Sequence, residues 1–452
     1  MRKALLAGVA LAGVAALLPT GASAQSAAAT PPTSYPITAR SDQLAGAAPG
    51  SVTVNLGGRI FSGVWFQSST DENFDGSKPA TGVLMNYIRL YPSFDYASPY
   101  GVHYGLAAEI RANSSNLSEG HSAQTLFWHS AYGYVLSDKF GKFEFGTPND
   151  AIDQLSVGGG DDFGTGGFYG EYGFKTVGPN YIMGDSYDGD NPKGKLAYVS
   201  PIFAGLNFAI SYQPQSVGLN NTSVIPSSYN SDEVSICDGG SGTCGESKNR
   251  VEVAGQYSGT FGPLGVRASL GYAHAAWTPD TATLGPNGIG AVTYNPVDFW
   301  DAGAVLTYAG FELEGQVVKG NMSYANTDSG NPLGPAPDGA KQTTAFQIGL
   351  GYKIGALNVG VTWYHVNYDV RDTAPVALQG LPSTTARING GTLGASYVVG
   401  PGVTLFLDVL YAQTHANDYD LVNNVGPTSS SYNPSNNQGI ARGIGLGTYF
   451  QF

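Results

Sequence analysis

The chain has 452 residues, a formal net charge of −13 and only 12% charged residues against 42% hydrophobic ones. A soluble α/β enzyme of this length carries roughly twice that charged fraction and clear helical stretches, and so acidic a chain is a poor match for nucleic acid. Its acidity keeps long loops solvated, and in a confined space it gathers cations or disfavours anions.

Arg2-Lys3 precede an apolar run from Ala4 to Leu18, which ends in the small residues Ala22-Ser23-Ala24. This pattern predicts a secretory signal peptide over residues 1–24, with Gln25 as the mature start. The run, about 15 residues, falls short of the roughly 20 that a spanning helix needs. Without Arg2 and Lys3, 19 cations stand against 34 carboxylates, formally −15. Residues 25–50 are small, proline-bearing and weakly apolar, and are expected to be a flexible lead-in to a single domain over residues 51–452.

From Val52 the chain alternates. Val52, Val54, Leu56, Ile60, Val64 and Phe66 share one face, and Thr53, Asn55, Arg59 and Gln67 share the other. Such a strand has different solvents on its two sides. The same reading makes Tyr104, Leu106, Ala108 and Ile110 alternate with His103, Glu109, Arg111 and Asn113. Carried along the chain it predicts sixteen strands, at residues 52–68, 82–96, 101–114, 122–137, 139–147, 193–200, 205–214, 249–259, 264–277, 299–309, 310–320, 341–353, 355–369, 386–398, 402–415 and 438–452.

The connections alternate strictly between short and long. Short ones include Ser98-Pro99-Tyr100-Gly101, Ser137-Asp138-Lys139, Tyr308-Ala309-Gly310 and Gly400-Pro401-Gly402, with both ends of the domain on their side. Tight turns at one end and long loops at the other are what an antiparallel barrel in an outer membrane shows. Hydrocarbon offers no partner for an open strand edge, so the sheet must close. At sixteen strands a barrel is too wide for side chains to fill, which leaves an aqueous channel.

The longest connection, residues 147–191, holds Asp150, Asp153, Asp161, Asp162, Glu171, Asp185, Asp188 and Asp190 against the single cation Lys175. Its glycine-rich middle, Gly158 to Gly167, shows no helical period. A connection of this length inside a domain is normally functional. It is expected to fold back into the bore as an acidic loop that narrows the channel.

Local patterns in this order resemble the general diffusion porins of Gram-negative outer membranes. Ala131-Tyr132-Gly133-Tyr134-Val135-Leu136-Ser137-Asp138-Lys139-Phe140-Gly141-Lys142-Phe143-Glu144-Phe145-Gly146 is similar to that family's strand, turn and strand before its constriction loop. Lys195-Leu196-Ala197-Tyr198-Val199-Ser200-Pro201-Ile202-Phe203-Ala204-Gly205-Leu206 is similar to the hairpin after it. Gly447-Thr448-Tyr449-Phe450-Gln451-Phe452 is similar to the terminal strand with its last-residue Phe. The resemblance covers the whole mature chain. It implies a passive channel in the outer membrane for small hydrophilic solutes, in contact with lipid and lipopolysaccharide and assembled as a homotrimer through its early and terminal strands, where Ala108 and Ala112 are small and outward. One departure is Thr147-Pro148 after Gly146, where the family often carries an Arg.

The resemblance also implies loop carboxylates facing basic residues on the wall. By parity Arg59, Arg89 and Arg111 share the polar face, with Lys142, Glu144 and Arg267 further candidates for the lumen. On the loop, Asp161 and Asp162 at the glycine-rich apex are the expected partners. Cys237 and Cys244 lie in one flexible spacer, which in an oxidising compartment predicts a local disulfide; two thiols alone do not make a zinc site. Asp185-Ser186-Tyr187-Asp188-Gly189-Asp190-Asn191 has the oxygen donors of a calcium loop but lacks the spacing and closing Glu of an EF-hand, so it reads as a solvated loop end. Tyr104, Trp128, Tyr198, Tyr257, Trp363 and Tyr411 fit interfacial girdles.

Six scattered histidines, no nucleophile elbow and no phosphate loop before a helix argue against catalysis and against any cofactor. Gly443, Gly445 and Gly447 read instead as a small-residue strand on the pore. The alternative reading is a substrate-specific channel, for a sugar or for an anion such as phosphate. Neither a plain aromatic ladder nor a cation-rich lumen singles one out.

Overall fold

A computed structural model describes residues 49–69, 81–113, 126–159, 163–164, 194–215, 245–279, 295–322, 339–369, 385–417, 433–434 and 437–452. Sixteen strands form one closed antiparallel sheet: β1 (Val52–Ser69), β2 (Gly82–Ala97), β3 (His103–Asn113), β4 (Phe127–Ser137), β5 (Gly141–Gly146), β6 (Lys195–Val199), β7 (Leu206–Gln215), β8 (Gly245–Phe261), β9 (Leu264–Pro279), β10 (Val297–Tyr308), β11 (Phe311–Asn321), β12 (Thr343–Ile354), β13 (Leu357–Asp369), β14 (Thr385–Gly400), β15 (Val403–Ala416) and β16 (Gln438–Gln451). Each strand pairs with its neighbours in sequence, and β1 pairs with β16 to close the ring.

The faces are inverted relative to a water-soluble sheet. Leu56 is 63% exposed and Leu84 74%, whereas the inward carboxylates Glu109 and Asp408 are 0% exposed. An apolar outer face and a polar inner one suit hydrocarbon outside and water inside. Sequence parity encodes this arrangement directly, because successive side chains of a strand point to opposite faces.

Closure runs from Arg59 opposite Gln451 to Ser69 opposite Ala441. Beyond it the Gly58 amide donates to the Phe452 carbonyl at 3.0 Å, and the Phe452 amide donates back to Gly58 at 3.1 Å. The Phe452 ring lies over Gly58, where a Cβ would come within 2.4 Å of a ring carbon. A side chain there would push the terminal ring off the seam.

Observed and expected strands agree within a few residues except at two starts. β4 starts at Phe127 rather than 122, and residues 121–125 lie outside the described ones. β8 starts at Gly245 rather than 249. A register shift between Lys248 and Val251 explains the second difference. With Asn249 at φ 52°, the bulge breaks the two-residue period on which the sequence reading depends.

Candidate functional site

Arg59, Arg89 and Arg111 all face inward and are buried at 8–9% exposure. They also form one register row: Arg59 stands opposite Arg89 across β1 and β2, and Arg89 opposite Arg111 across β2 and β3. Parity in the sequence gave the common face. The common row is a matter of register, which turn geometry helps to fix and parity along one strand does not show.

Glu109, which the sequence reading left out of the site, sits beside this row. Arg111 Nε donates to its carboxylate at 2.6 Å, and Arg89 lies 3.8 Å from the same oxygen. Rings flank the row on its long-loop side. Arg59 lies 5.3 Å from the Tyr87 ring and 5.0 Å from the Tyr449 ring, and Arg89 lies 4.7 Å from the Tyr87 ring. Phe61 stacks on Tyr87 at 5.1 Å and on Phe406 at 5.3 Å. Phe61 and Trp65 are aromatic residues at inward positions of β1. Alternation alone hides them, since it records polarity and these positions break it.

Farther round the ring, inward cations pair with carboxylates. Lys142 meets Glu144 at 2.7 Å, Lys195 meets Asp150 at 2.7 Å and Arg250 meets Glu252 at 2.6 Å. Lys142 and Glu144 thus share a face as expected. Arg267 shares the inward parity of Ser269, close to the short turn after β8, and is exposed.

The connection after β5 begins with a clamp. Thr147 receives the Ala131 amide on its Oγ1 at 2.8 Å and donates to the Ala131 carbonyl from its own amide and hydroxyl, both at 3.0 Å. A one-turn helix follows, α1 (Ala151–Leu155). This corrects the expectation of a connection without helix: five residues are too few to show a period, and tertiary contacts hold the turn. Three backbone amides of the segment donate to inward side chains: Ala151 to Ser211 at 3.1 Å, Ile152 to Glu252 at 3.2 Å and Val157 to Ser269 at 3.0 Å. Gln256 and Gln347 donate in turn to the carbonyls of Leu155 and Gly158, at 2.9 and 3.2 Å. The described part of the connection is therefore bonded to the polar faces of β7, β8, β9 and β12.

Glycines make room for it. A Cβ on Gly303 would fall 1.7 Å from the Val157 carbonyl oxygen, and one on Gly360 would fall 2.1 Å from the Phe163 ring. Asp161 and Asp162 lie outside the described residues, as do Glu171, Lys175 and Asp185 to Asn191. So do Cys237 and Cys244.

On the outer face Tyr104, Trp128, Trp363 and Tyr411 are exposed, and Tyr198 and Tyr257 are partly so. Among the described residues no group of three or more His, Cys, Asp or Glu is placed to hold a metal ion.

The family model for Gram-negative porins matches residues 9–418. No curated protein sequence matches the chain. Among solved structures, an anion-selective porin from Comamonas acidovorans is 14% identical, with 89% of this chain and 100% of that one covered at a TM-score of 0.53. OmpF of Salmonella typhi, in complex with daunomycin, is 16% identical, with 88% and 97% covered at 0.54. In vitro folded OmpT of Vibrio cholerae, in its trimer form, is 12% identical, with 89% and 100% covered at 0.50. These structures share the fold. The family match extends over most of the chain and favours general diffusion over a substrate-specific channel. The chain belongs to the Gram-negative porin family: it is an outer-membrane β-barrel that passes small hydrophilic solutes by passive diffusion, and it is not an enzyme.

Proposed function

We propose that passage through this porin is governed where the third loop, residues 147–191, narrows the bore across from Arg59, Arg89 and Arg111. The observation that carries this reading is the register row of three inward arginines. The segment around α1 is bonded to strands β7 to β9, about six strands of the sixteen away from that row. Asp161 and Asp162 at the loop apex supply the opposing negative charge. In a narrow, partly desolvated passage such charges act more strongly than in bulk water. The pore then sorts solutes by size and charge rather than by stereochemistry.

The mature protein begins at Gln25 after removal of residues 1–24, and residues 25–50 lead into the barrel. Cys237 and Cys244 form a local disulfide. The apolar outer face contacts lipid and lipopolysaccharide. Three copies associate through the early strands and β16, a reading supported by the trimer form of the OmpT structure and by the small outward residues Ala108 and Ala112. Heating before SDS electrophoresis then converts a slow band to a monomer band.

Liposome swelling with a graded series of sugars tests the function. Rates that fall with molecular size and ignore stereochemistry are expected. A sugar admitted far out of its size order would overturn the reading.

A further inference from the structure

The arginine row poses a physical problem. Residues directly opposite in an antiparallel pair place like charges close together, which destabilises them, and long flexible side chains relieve this by folding away. Here Arg89 has Arg59 on one side and Arg111 on the other. Glu109 holds the Arg111 end of the row, at 2.6 Å from Arg111 and 3.8 Å from Arg89. Toward the Arg59 end, rings lie beside the guanidiniums. Tyr87 lies between Arg59, at 5.3 Å, and Arg89, at 4.7 Å, and Tyr449 lies 5.0 Å from Arg59. A ring face within about 6 Å attracts a guanidinium through its quadrupole without neutralising it.

These rings are themselves held in place. Phe61 stands opposite Tyr87 across β1 and β2 and opposite Tyr449 across β1 and β16. It stacks on Tyr87 with an interplanar angle of 13° and on Phe406 with one of 10°, and Phe406 lies 5.2 Å from Tyr449. Four rings from four strands thus form a buttress on the long-loop side of the row.

We propose that Tyr87 and Tyr449 are positioning residues for charge selectivity, holding the guanidiniums of Arg59 and Arg89 in place on the wall of the bore. The proposal rests on the constriction reading above, and it adds that selectivity depends on uncharged residues that do not themselves act on ions.

The test is the reversal potential of the full-length protein in a planar bilayer under a potassium chloride gradient, compared among Y87L, Y449L, Y87F, Y449F and R59A/R89A. The arginine variant shifts permeability toward cations. Each leucine variant is expected to move at least about a third of that distance, because a ring–guanidinium attraction lost in a desolvated site frees the side chain to rotate away. The phenylalanine variants, which keep the ring, should stay near wild type. Leucine variants that match wild type while R59A/R89A shifts would overturn the proposal and leave the constriction standing. An unshifted R59A/R89A would overturn both. Only inserted channels are scored, and Y87L and Y449L test the same claim independently, so one that does not insert leaves the other to decide.

Discussion

Two sectors of the inner wall meet opposite demands. On β1 to β3 the wall carries the row Arg59, Arg89, Arg111, beside Glu109 and the rings of Tyr87 and Tyr449. On β7 to β12 the wall is covered by a segment of its own chain, and inward Ser211, Glu252, Ser269, Gln256 and Gln347 bond to that segment's backbone. In the first sector charged side chains meet one another and the rings of the wall; in the second, polar groups serve backbone that water would otherwise serve. The contrast teaches that inward polarity does not by itself mean contact with solute. What a polar side chain does in a barrel of this width depends on whether a loop reaches it.

The largest effect is expected from removing Glu252 in the covered sector. Its carboxylate pairs with Arg250 at 2.6 Å and accepts the Ile152 amide at 3.2 Å, and it is 2% exposed. Glu252→Ala leaves a buried guanidinium and a backbone amide without this partner, a loss of about 3–5 kcal/mol for a buried pair. A lower unfolding midpoint in urea, followed by electrophoretic mobility, would register it. A midpoint equal to wild type would mean that the segment is not held there.

A smaller loss follows from Gly303→Ala. Its methyl group would fall on the Val157 carbonyl oxygen, so the segment must lift from β10, at about 1–3 kcal/mol for an overpacked contact. Single-channel conductance is the sharper readout, because the segment moves while the barrel stays closed. Unchanged conductance would separate the described segment from the narrow point of the pore.

Much of the barrel is written in the sequence, since lipid outside and water inside force a strict two-residue period on every strand. The face of Arg59, Arg89 and Arg111 follows from that period. Their shared register row does not, because it depends on how neighbouring strands slide along each other. Glu109 was visible as an inward acid of β3, but nothing in β3 alone says that it would meet arginines from β2 and β3 together. Phe61 and Tyr87 were obscured for a related reason: an aromatic residue on a polar face looks like noise until its partners from β15 and β16 are beside it. Helix α1 was missed because one turn carries no period. Thr147, noted as a departure from the family pattern, turns out to bind Ala131, a contact between positions sixteen residues apart that local reading does not reach.

Charge placed across the bore is the central claim, and one measurement addresses it most directly: the reversal potential in a single salt gradient for R59Q/R89Q/R111Q, for D161N/D162N and for the control D232N/E233Q, two acids in the connection between β7 and β8. The first variant is predicted to shift permeability toward cations and the second toward anions. The control should shift it much less, because charges away from the constriction lose influence beyond about 10 Å at 0.1 M salt. Shifts of the same sign from the first two variants, or a control shift as large as theirs, would contradict the account.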